Sequence, residues 1–173
     1  FEAEPVEPNA FRVEAEGDRM RAITAVDNQL VTGEEIVETP VEDGRAVPDP
    51  DRDLLKLAVL NRYTEESNPA VAFIRGFGVE TGALASSVAH DSHNVVAVGA
   101  SDDALARAVN AVVRQEGGIS AVAEGTHVLP LPIAGLVSDE PYEQVARRYT
   151  RLRRFVPDEL GSPLDAPFMT LSV

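Results

Sequence analysis

The densest group of side chains capable of acid–base or hydrogen-bonding chemistry lies in one short polar segment. It consists of His90, Asp91, Ser92, His93 and Asn94. Apolar runs lie on both sides, at residues 83–89 and 95–99. A polar segment between two β-prone runs predicts a loop that its flanks hold in place, and such loops often carry functional side chains. The same residue types also form ordinary turns, because their short side chains bond the local backbone.

Three roles are open to this polar segment. His90 and His93 lie three residues apart with Asp91 between them, and imidazole and carboxylate groups are common ligands of divalent metals. A tight turn rarely directs three side chains at one ion, so we expect no metal site here. The other two hypotheses are a site that hydrogen-bonds a ligand and a turn that only connects structural elements.

Three closely spaced glycines, Gly76, Gly78 and Gly82, precede this region. Their spacing differs from the dinucleotide-binding fingerprint, whose glycines open a helix directly after a strand. We therefore predict that they serve turns or close packing, for which glycine is suited because it lacks a side chain.

Short apolar or alternating runs predict the strands that position the polar segment. The predicted strands cover residues 10–15, 20–26, 54–61, 70–77, 83–89, 95–99, 119–123 and 127–131. The first two are expected to form a hairpin that turns at Gly17 and Asp18. The run before the polar segment and the run after it form a second hairpin with the segment at its tip. Pro130 and Pro132 exclude a central strand at the last run, because proline cannot donate to the ladder.

Two helices are predicted. Ser101 precedes an apolar stripe that extends to about Glu116, and a serine in this position caps a helix by accepting a backbone hydrogen bond. A second helix follows Ser138 or Asp139, and its polar faces carry five arginines. These are Arg147, Arg148, Arg151, Arg153 and Arg154. Such a basic face binds an anion, contacts an acidic neighbour or is solvated.

Composition indicates one folded domain. The chain has 173 residues, of which 44% are hydrophobic and 25% charged, and it has no cysteine. These values are close to the globular average. No apolar run approaches the roughly 18 residues of a membrane span, and the acidic N-terminus lacks a signal-peptide pattern. We therefore expect a cytoplasmic protein with no membrane partner.

The charge balance excludes one class of partner. Asp and Glu total 29 against 15 Lys and Arg, which gives a formal net charge of −14, and Lys56 is the only lysine. Such a field repels nucleic acid, so we expect no nucleic-acid binding. An acidic, lysine-poor surface is typical of adaptation to high salt, where screening reduces self-repulsion. The alternative is an ordinary acidic protein whose codon bias favours arginine.

Together these patterns predict an α+β fold. We expect a mostly antiparallel, mixed sheet of about six to eight short strands with two or more helices packed on it. Residues 1–10 are predicted to form an arm or linker, and residues 11–173 to form one domain. Within that domain, residues 34–53 are acidic and contain three prolines, which predicts a surface excursion. These patterns alone do not name a function.

From residue 51 onward the chain resembles the C-terminal region of bacterial and archaeal adenine deaminases of the amidohydrolase superfamily. The longest matching stretch, residues 82–94, ends with the polar segment. The other stretches are 76–78, 109–111, 117–118, 129–139 and 167–172. They occur in the family's order and at about its spacing, and the predicted first hairpin fits the family's lead-in.

The resemblance implies an enzyme that hydrolyses adenine to hypoxanthine and ammonia in purine salvage. It implies that a divalent metal, manganese or iron, activates water in an upstream (β/α) barrel. The barrel's His-x-His ligands are absent here, and such a barrel takes about 250 residues, so the isolated segment is expected to be inactive and to hold no metal. The expected partners are that barrel, adenine and, as an open alternative, further copies of the chain in a homo-oligomer.

The resemblance also suggests what the polar segment does. We expect His90, Asp91, Ser92, His93 and Asn94 to complete the adenine pocket or to join the domain to its neighbour. In the first case Asp91 or a histidine bonds a purine nitrogen and Asn94 bonds another ring edge. The alternative function is a non-catalytic module of the same fold that binds a purine or serves assembly or regulation.

Overall fold

The computed structural model describes residues 1–27, 29, 31–65, 68–90 and 92–172. Eight of its strands form the main sheet. In spatial order they are β11 (Thr126–Pro130), β10 (Gly118–Val122), β8 (Ala83–Ser86), β9 (Val95–Gly99), β6 (Leu55–Leu60), β7 (Ala70–Arg75), β2 (Arg19–Thr24) and β3 (Gly33–Glu38). Neighbouring strands are antiparallel except β2 and β7, which are parallel. The predicted α+β class and the mixed, mostly antiparallel sheet are confirmed.

A second sheet has three strands of two residues each. In spatial order they are β1 (Val13–Glu14), β5 (Arg45–Ala46) and β4 (Val41–Glu42). Residues 34–53 therefore contain most of β3, both β4 and β5, and a 3-10 turn, Pro50–Arg52. Within this range, Thr39 and Ala46 are the buried residues.

The hairpin predicted for residues 10–26 is wrong. β1 pairs with β5, whereas β2 pairs with β3 on one side and with β7 on the other. The reason lies in Phe11, which ends a 3-10 turn and is fully buried in the core rather than extending a strand. What is left of the first strand has only two residues, while β3 offers β2 a six-residue ladder.

In the described part of the chain, three α-helices cover the two faces of the main sheet. α1 (Asp102–Val113) packs on one face with Phe11, and α2 (Tyr142–Leu160) and α3 (Pro167–Leu171) pack on the other. The alternation along β8 shows why: Ala83 and Ala85 face α1, whereas Leu84 faces the other helices, because successive side chains of a strand point to opposite faces.

The helix boundaries follow from local chemistry. The Ser101 hydroxyl accepts a hydrogen bond from Ala104 N at 3.2 Å, so the predicted N-cap of α1 is confirmed. The second predicted helix is confirmed as α2, which begins a few residues after Ser138 and is capped at its C-terminal end by Gly161 in the left-handed conformation. Its buried residues, Leu152, Val156 and Leu160, recur every four residues and form the stripe that faces the sheet.

Several strand ends meet at one end of the main sheet. The register pairs Leu60 with Val95, Ser86 with both Val96 and Ile119, and Gly118 with Pro130. The segments that leave or enter the sheet here are the chain after β6, the connection between β8 and β9, the start of β10 and the chain after β11. We call this the loop end of the sheet.

Candidate functional site

The polar segment lies at the loop end, in the connection between β8 and β9. These two strands pair as an antiparallel hairpin, so the prediction of a hairpin with polar residues at its tip is confirmed. Residues 87–94 form the connection, which we call the polar loop. Asp91 lies outside the described residues.

The first residue of the polar loop is locked into the structure. Ser87 is fully buried, and its backbone N donates to Gly118 O at 2.9 Å. Its hydroxyl donates to Gly135 O at 2.6 Å and accepts from Gly118 N at 2.8 Å. The base of the loop is therefore tied both to β10 and to the turn that follows β11.

The tip of the loop is held through its backbone. His90 N donates to Ser172 O at 2.8 Å, and the Tyr63 hydroxyl donates to Ser92 O at 2.9 Å. Inside the loop, His93 N donates to Ala89 O at 3.0 Å. His93 adopts a left-handed conformation with φ of 49°, which is uncommon for residues other than glycine.

The side chains at the tip make fewer contacts than its backbone. His90 and Ser92 are exposed, and the imidazole of His90 has no hydrogen-bond partner among the described residues. The Ser92 hydroxyl accepts a bond of 3.5 Å from Asn94 N. Asn94 and His93 are half-buried. A loop whose backbone is held by hydrogen bonds, and whose side chains have few partners of their own, is suited to bind a ligand by hydrogen bonds.

Two of these side chains carry a polar atom that has no hydrogen-bond partner among the described residues. Asn94 Oδ1 accepts a bond of 3.4 Å from Arg62 N, and its amide nitrogen has no partner among the described residues. His93 Nδ1 is buried and likewise lacks a partner among them. Leaving a buried polar atom unpaired costs about 1–3 kcal/mol.

Sequence reasoning missed Arg62 and Tyr63, which follow β6 at the loop end. Arg62 is 6% exposed, and its Nη1 donates to Ala134 O at 2.7 Å. Its Nη2 donates to the Tyr63 hydroxyl at 3.3 Å, and the guanidinium lies 4.9 Å from the Tyr63 ring centroid. The one signal in the sequence was a charged and an aromatic residue directly after a predicted strand.

No metal centre is formed within the described ranges, where no three His, Asp or Glu side chains are grouped to hold an ion. The third histidine, His127, lies on β11, with its ring centroid 4.4 Å from that of Phe155. It belongs to the packing between the sheet and α2 rather than to the polar loop.

The glycines before β8 are confirmed as packing and turn residues. Gly76 N and Gly78 N both donate to the Asp53 carboxylate at 2.7 Å. A Cβ atom on Gly76 would overlap Ala25 O, and one on Gly82 would overlap Val122 O. The backbone N–H groups that a phosphate would need are thus already occupied by the chain's own carboxylate.

The basic face of α2 is present as predicted. Arg148 forms an ion pair with Glu140 at 2.8 Å. Arg147, Arg151 and Arg154 are exposed and form no ion pair with any described residue. Which of the three proposed roles this face has stays a prediction.

Comparisons with known proteins identify the family. A sequence model described as the adenine deaminase C-terminal domain matches residues 29–173. A relative from Salinibacter ruber, named adenine deaminase, is 79% identical over 172 residues, which are 99% of this chain and 32% of the relative. Adenine deaminase from Parabacteroides distasonis is 42% identical over 173 residues, 99% of this chain and 31% of that protein.

A third relative agrees with these two. Adenine deaminase from Sulfurovum sp. is 52% identical over 151 residues, which are 87% of this chain and 27% of the relative. The chain spans about a third of the length of the curated relatives it matches. No described helix is long and apolar enough to cross a membrane.

Proposed function

The chain belongs to the adenine deaminase C-terminal domain family, and from this premise we propose that it is the C-terminal domain of an enzyme that hydrolyses adenine to hypoxanthine and ammonia. The curated relatives carry this name and are about three times as long. The remaining length accommodates an upstream (β/α) barrel, for which about 250 residues suffice. We place the whole enzyme in the cytoplasm.

One observation carries the role that we propose for the polar loop. Its backbone is tied at Ser87, His90 and Ser92 to three other segments, while the side chains of His90 and Asn94 keep donors or acceptors without partners in the described chain. Binding sites are made in this way, because fixed groups lose little entropy when a ligand binds. We propose that the loop faces the upstream barrel and completes the adenine pocket.

The edge of adenine offers ring nitrogens that accept hydrogen bonds and an amine that donates them. The free amide N–H groups of Asn94 are suited to donate to a ring nitrogen, and an imidazole of His90 or His93 is suited to either role. Asp91 is proposed to accept from a purine N–H group. A pocket that hydrogen-bonds its substrate rejects analogues without the matching group far better than an apolar pocket does.

Exposed apolar side chains around the loop support an interface with the barrel. Tyr63, Ile133, Val137 and Met169 are each more than half exposed. Along the sequence, each of the four is at most three residues from a residue that bonds the polar loop or Arg62, or is itself such a residue. We take these exposed apolar side chains near the loop end as support for an interaction surface there.

The described residues form no group of three His, Asp or Glu side chains that would hold the metal that the family implies. We place the metal, manganese or iron, and the activation of water in the upstream part. This domain then contributes substrate binding and orientation, and by itself it should not deaminate adenine.

The experiment compares Asp91→Asn, His93→Asn and Asn94→Ala in the full-length protein. Asparagine is chosen at His93 because it tolerates the left-handed backbone. Each variant should reduce kcat/KM for adenine at least about tenfold, which corresponds to 1.36 kcal/mol in the barrier. Melting temperatures should change little, because the one side-chain hydrogen bond that His93 and Asn94 make in the described chain, from Arg62 N to Asn94 Oδ1, is long at 3.4 Å.

His127→Gln is the matched control. It also removes a histidine, but one that lies against α2, so kcat/KM should be unchanged. Normal turnover per folded molecule in all three loop variants would contradict the proposal and favour a connecting turn. Adenine binding without turnover in the full-length protein would favour the purine-binding module instead.

A further inference from the structure

We propose that Arg62 and Tyr63 are positioning residues that hold the tip of the polar loop in the orientation that the adenine pocket requires. This inference rests on the proposed function, since it takes the loop as part of that pocket. Neither side chain takes part in the reaction, and both act through the loop.

Tyr63 reaches the loop tip from the end of β6. Its hydroxyl donates to the backbone oxygen of Ser92 at 2.9 Å and accepts from Arg62 Nη2 at 3.3 Å. The residue is 53% exposed, so its ring contributes little to the hydrophobic core. The hydrogen bond to the tip is therefore the main structural consequence of this side chain.

Arg62 holds Tyr63 and connects it to the neighbouring turn. Its guanidinium lies 4.9 Å from the Tyr63 ring centroid and donates to Ala134 O at 2.7 Å. A Cβ atom on Gly135 would overlap Arg62 Nη1, so the turn is shaped to admit this side chain. Gly135 O in turn accepts from the Ser87 hydroxyl at the base of the loop.

The backbone of Arg62 joins two further segments to this arrangement. Its N donates to Asn94 Oδ1 at 3.4 Å, and its O accepts from Glu2 N at 2.8 Å. The guanidinium also lies 5.6 Å from the ring centroid of Phe1. Arg62 thus bonds the last residue of the polar loop directly. It reaches the tip through the Tyr63 hydroxyl and the base through the turn at residues 134–135.

Stability alone does not account for an arginine in this place. Within the described part of the chain Arg62 forms no ion pair with a carboxylate, and its Nε is buried without a partner. Buried charges are ordinarily paired, because an unpaired one carries a large desolvation cost. A guanidinium with several donors in a fixed plane is, however, suited to fix the geometry of surrounding groups.

The first test is Tyr63→Phe in the full-length protein, with Tyr142→Phe as the control. Both changes remove one hydroxyl from an exposed tyrosine, and that of Tyr142 has no partner among the described residues. Tyr63→Phe should raise KM for adenine about threefold to tenfold, the range that follows from the loss of one hydrogen bond. The melting temperature should not change.

Hydrogen exchange supplies a readout that does not depend on activity. In the same variant, amide exchange measured by mass spectrometry should become faster in peptides that cover residues 88–96 and stay unchanged elsewhere. Tyr142→Phe should leave both KM and exchange at their wild-type values. A role in global stability would instead reduce the amount of active protein and leave KM unchanged.

The second variant is Arg62→Lys, which keeps the charge but loses the planar set of donors. Its effect on KM should be at least as large as that of Tyr63→Phe, and the two changes together should exceed the larger one only slightly, because they break one network. Fully additive effects would show that the two residues act separately and would overturn the inference.

The outcomes separate this inference from the proposed function. Faster exchange with a raised KM supports both. Faster exchange with an unchanged KM shows that the loop is held by Tyr63 but lies outside the adenine pocket, which overturns the proposed role of the loop and the positioning role with it. Unchanged exchange overturns the positioning role alone, whatever the loop variants do.

Discussion

Two buried cations lie at opposite ends of β6 and have opposite surroundings. Lys56 is 1% exposed; its Nζ donates to an Asp102 carboxylate oxygen at 2.6 Å and to Phe11 O at 2.9 Å. Arg62, at the loop end, is almost as buried, but its described partners are a carbonyl, a hydroxyl and aromatic rings. Lys56 is paired with a carboxylate, whereas Arg62 has no carboxylate partner among the described residues.

Under the proposed function, this difference separates a structural end of the sheet from a functional one. The Lys56–Asp102 pair joins β6 to the first turn of α1, where a carboxylate also interacts favourably with the helix dipole. The Lys56 ammonium therefore has its partners within the domain. At the loop end, Arg62 Nε and His93 Nδ1 are both buried without partners in the described chain, and under the proposed function the barrel or the substrate would supply hydrogen bonds there.

The largest effect is expected from Asp102→Ala, which leaves Lys56 buried without its carboxylate. Removing one member of a buried pair costs about 3–5 kcal/mol, and urea unfolding should show a loss near the lower limit because the Asp102 side chain is 26% exposed. Deamination per folded molecule by the full-length protein should be unchanged, since the pair is far along β6 from the polar loop.

Asp103→Ala is the control for this variant. Asp103 occupies the same first turn of α1 but is exposed and forms no ion pair with a described residue. Its loss should cost less than about 1 kcal/mol, the usual size of a helix-dipole interaction. Equal losses for the two variants would show that Lys56 is compensated by water and that the contrast with Arg62 is smaller than the geometry indicates.

Gly135→Ala should reduce stability less than Asp102→Ala does, but it should also change KM. Gly135 has φ of +71°, a backbone conformation that costs other residues about 1–2 kcal/mol. The added methyl group would also displace the Arg62 guanidinium. We expect a loss of stability together with a raised KM for adenine in the full-length protein.

Gly44→Ala isolates the contribution of Arg62. Gly44 has a similar φ of +78°, but a Cβ atom there would meet nothing within 4 Å. Its variant should show the backbone cost alone, with an unchanged KM. The same KM for both glycine variants would mean that displacing Arg62 does not disturb the pocket.

Local patterns predicted most of the elements that position the site. The strands on both sides of the polar loop, the cap of α1 at Ser101 and the edge position of β11 all follow from residues close together in the sequence. Pro130 ends a strand at the edge of the sheet, where a missing N–H donor is tolerated. Such features are set by the backbone preferences of a few neighbouring residues.

Contacts across long separations were not predictable in this way. Arg62 bonds Ala134, 72 residues away, and Lys56 bonds Asp102, 46 residues away. Lys56 is the only lysine in the sequence, but no neighbouring residue indicates that it lies inside the core. The false hairpin at residues 10–26 failed for the same reason, since the burial of Phe11 depends on α1, which lies about 90 residues further along the chain.

The smallest expected effect is that of salt, and it also tests whether the Lys56–Asp102 pair behaves as a buried pair. Because the net charge is −14, screening should relieve self-repulsion and raise the melting temperature as potassium chloride increases from about 0.1 M to 2 M. The Lys56–Asp102 pair is largely buried and is therefore screened much less. Wild type and Asp102→Ala should accordingly gain similar stability, and the difference between them should persist at 2 M.

A melting temperature that is flat or falls with salt would contradict the adaptation to high salt. A stability difference between wild type and Asp102→Ala that shrinks with salt would show that the Lys56–Asp102 pair behaves as a surface ion pair.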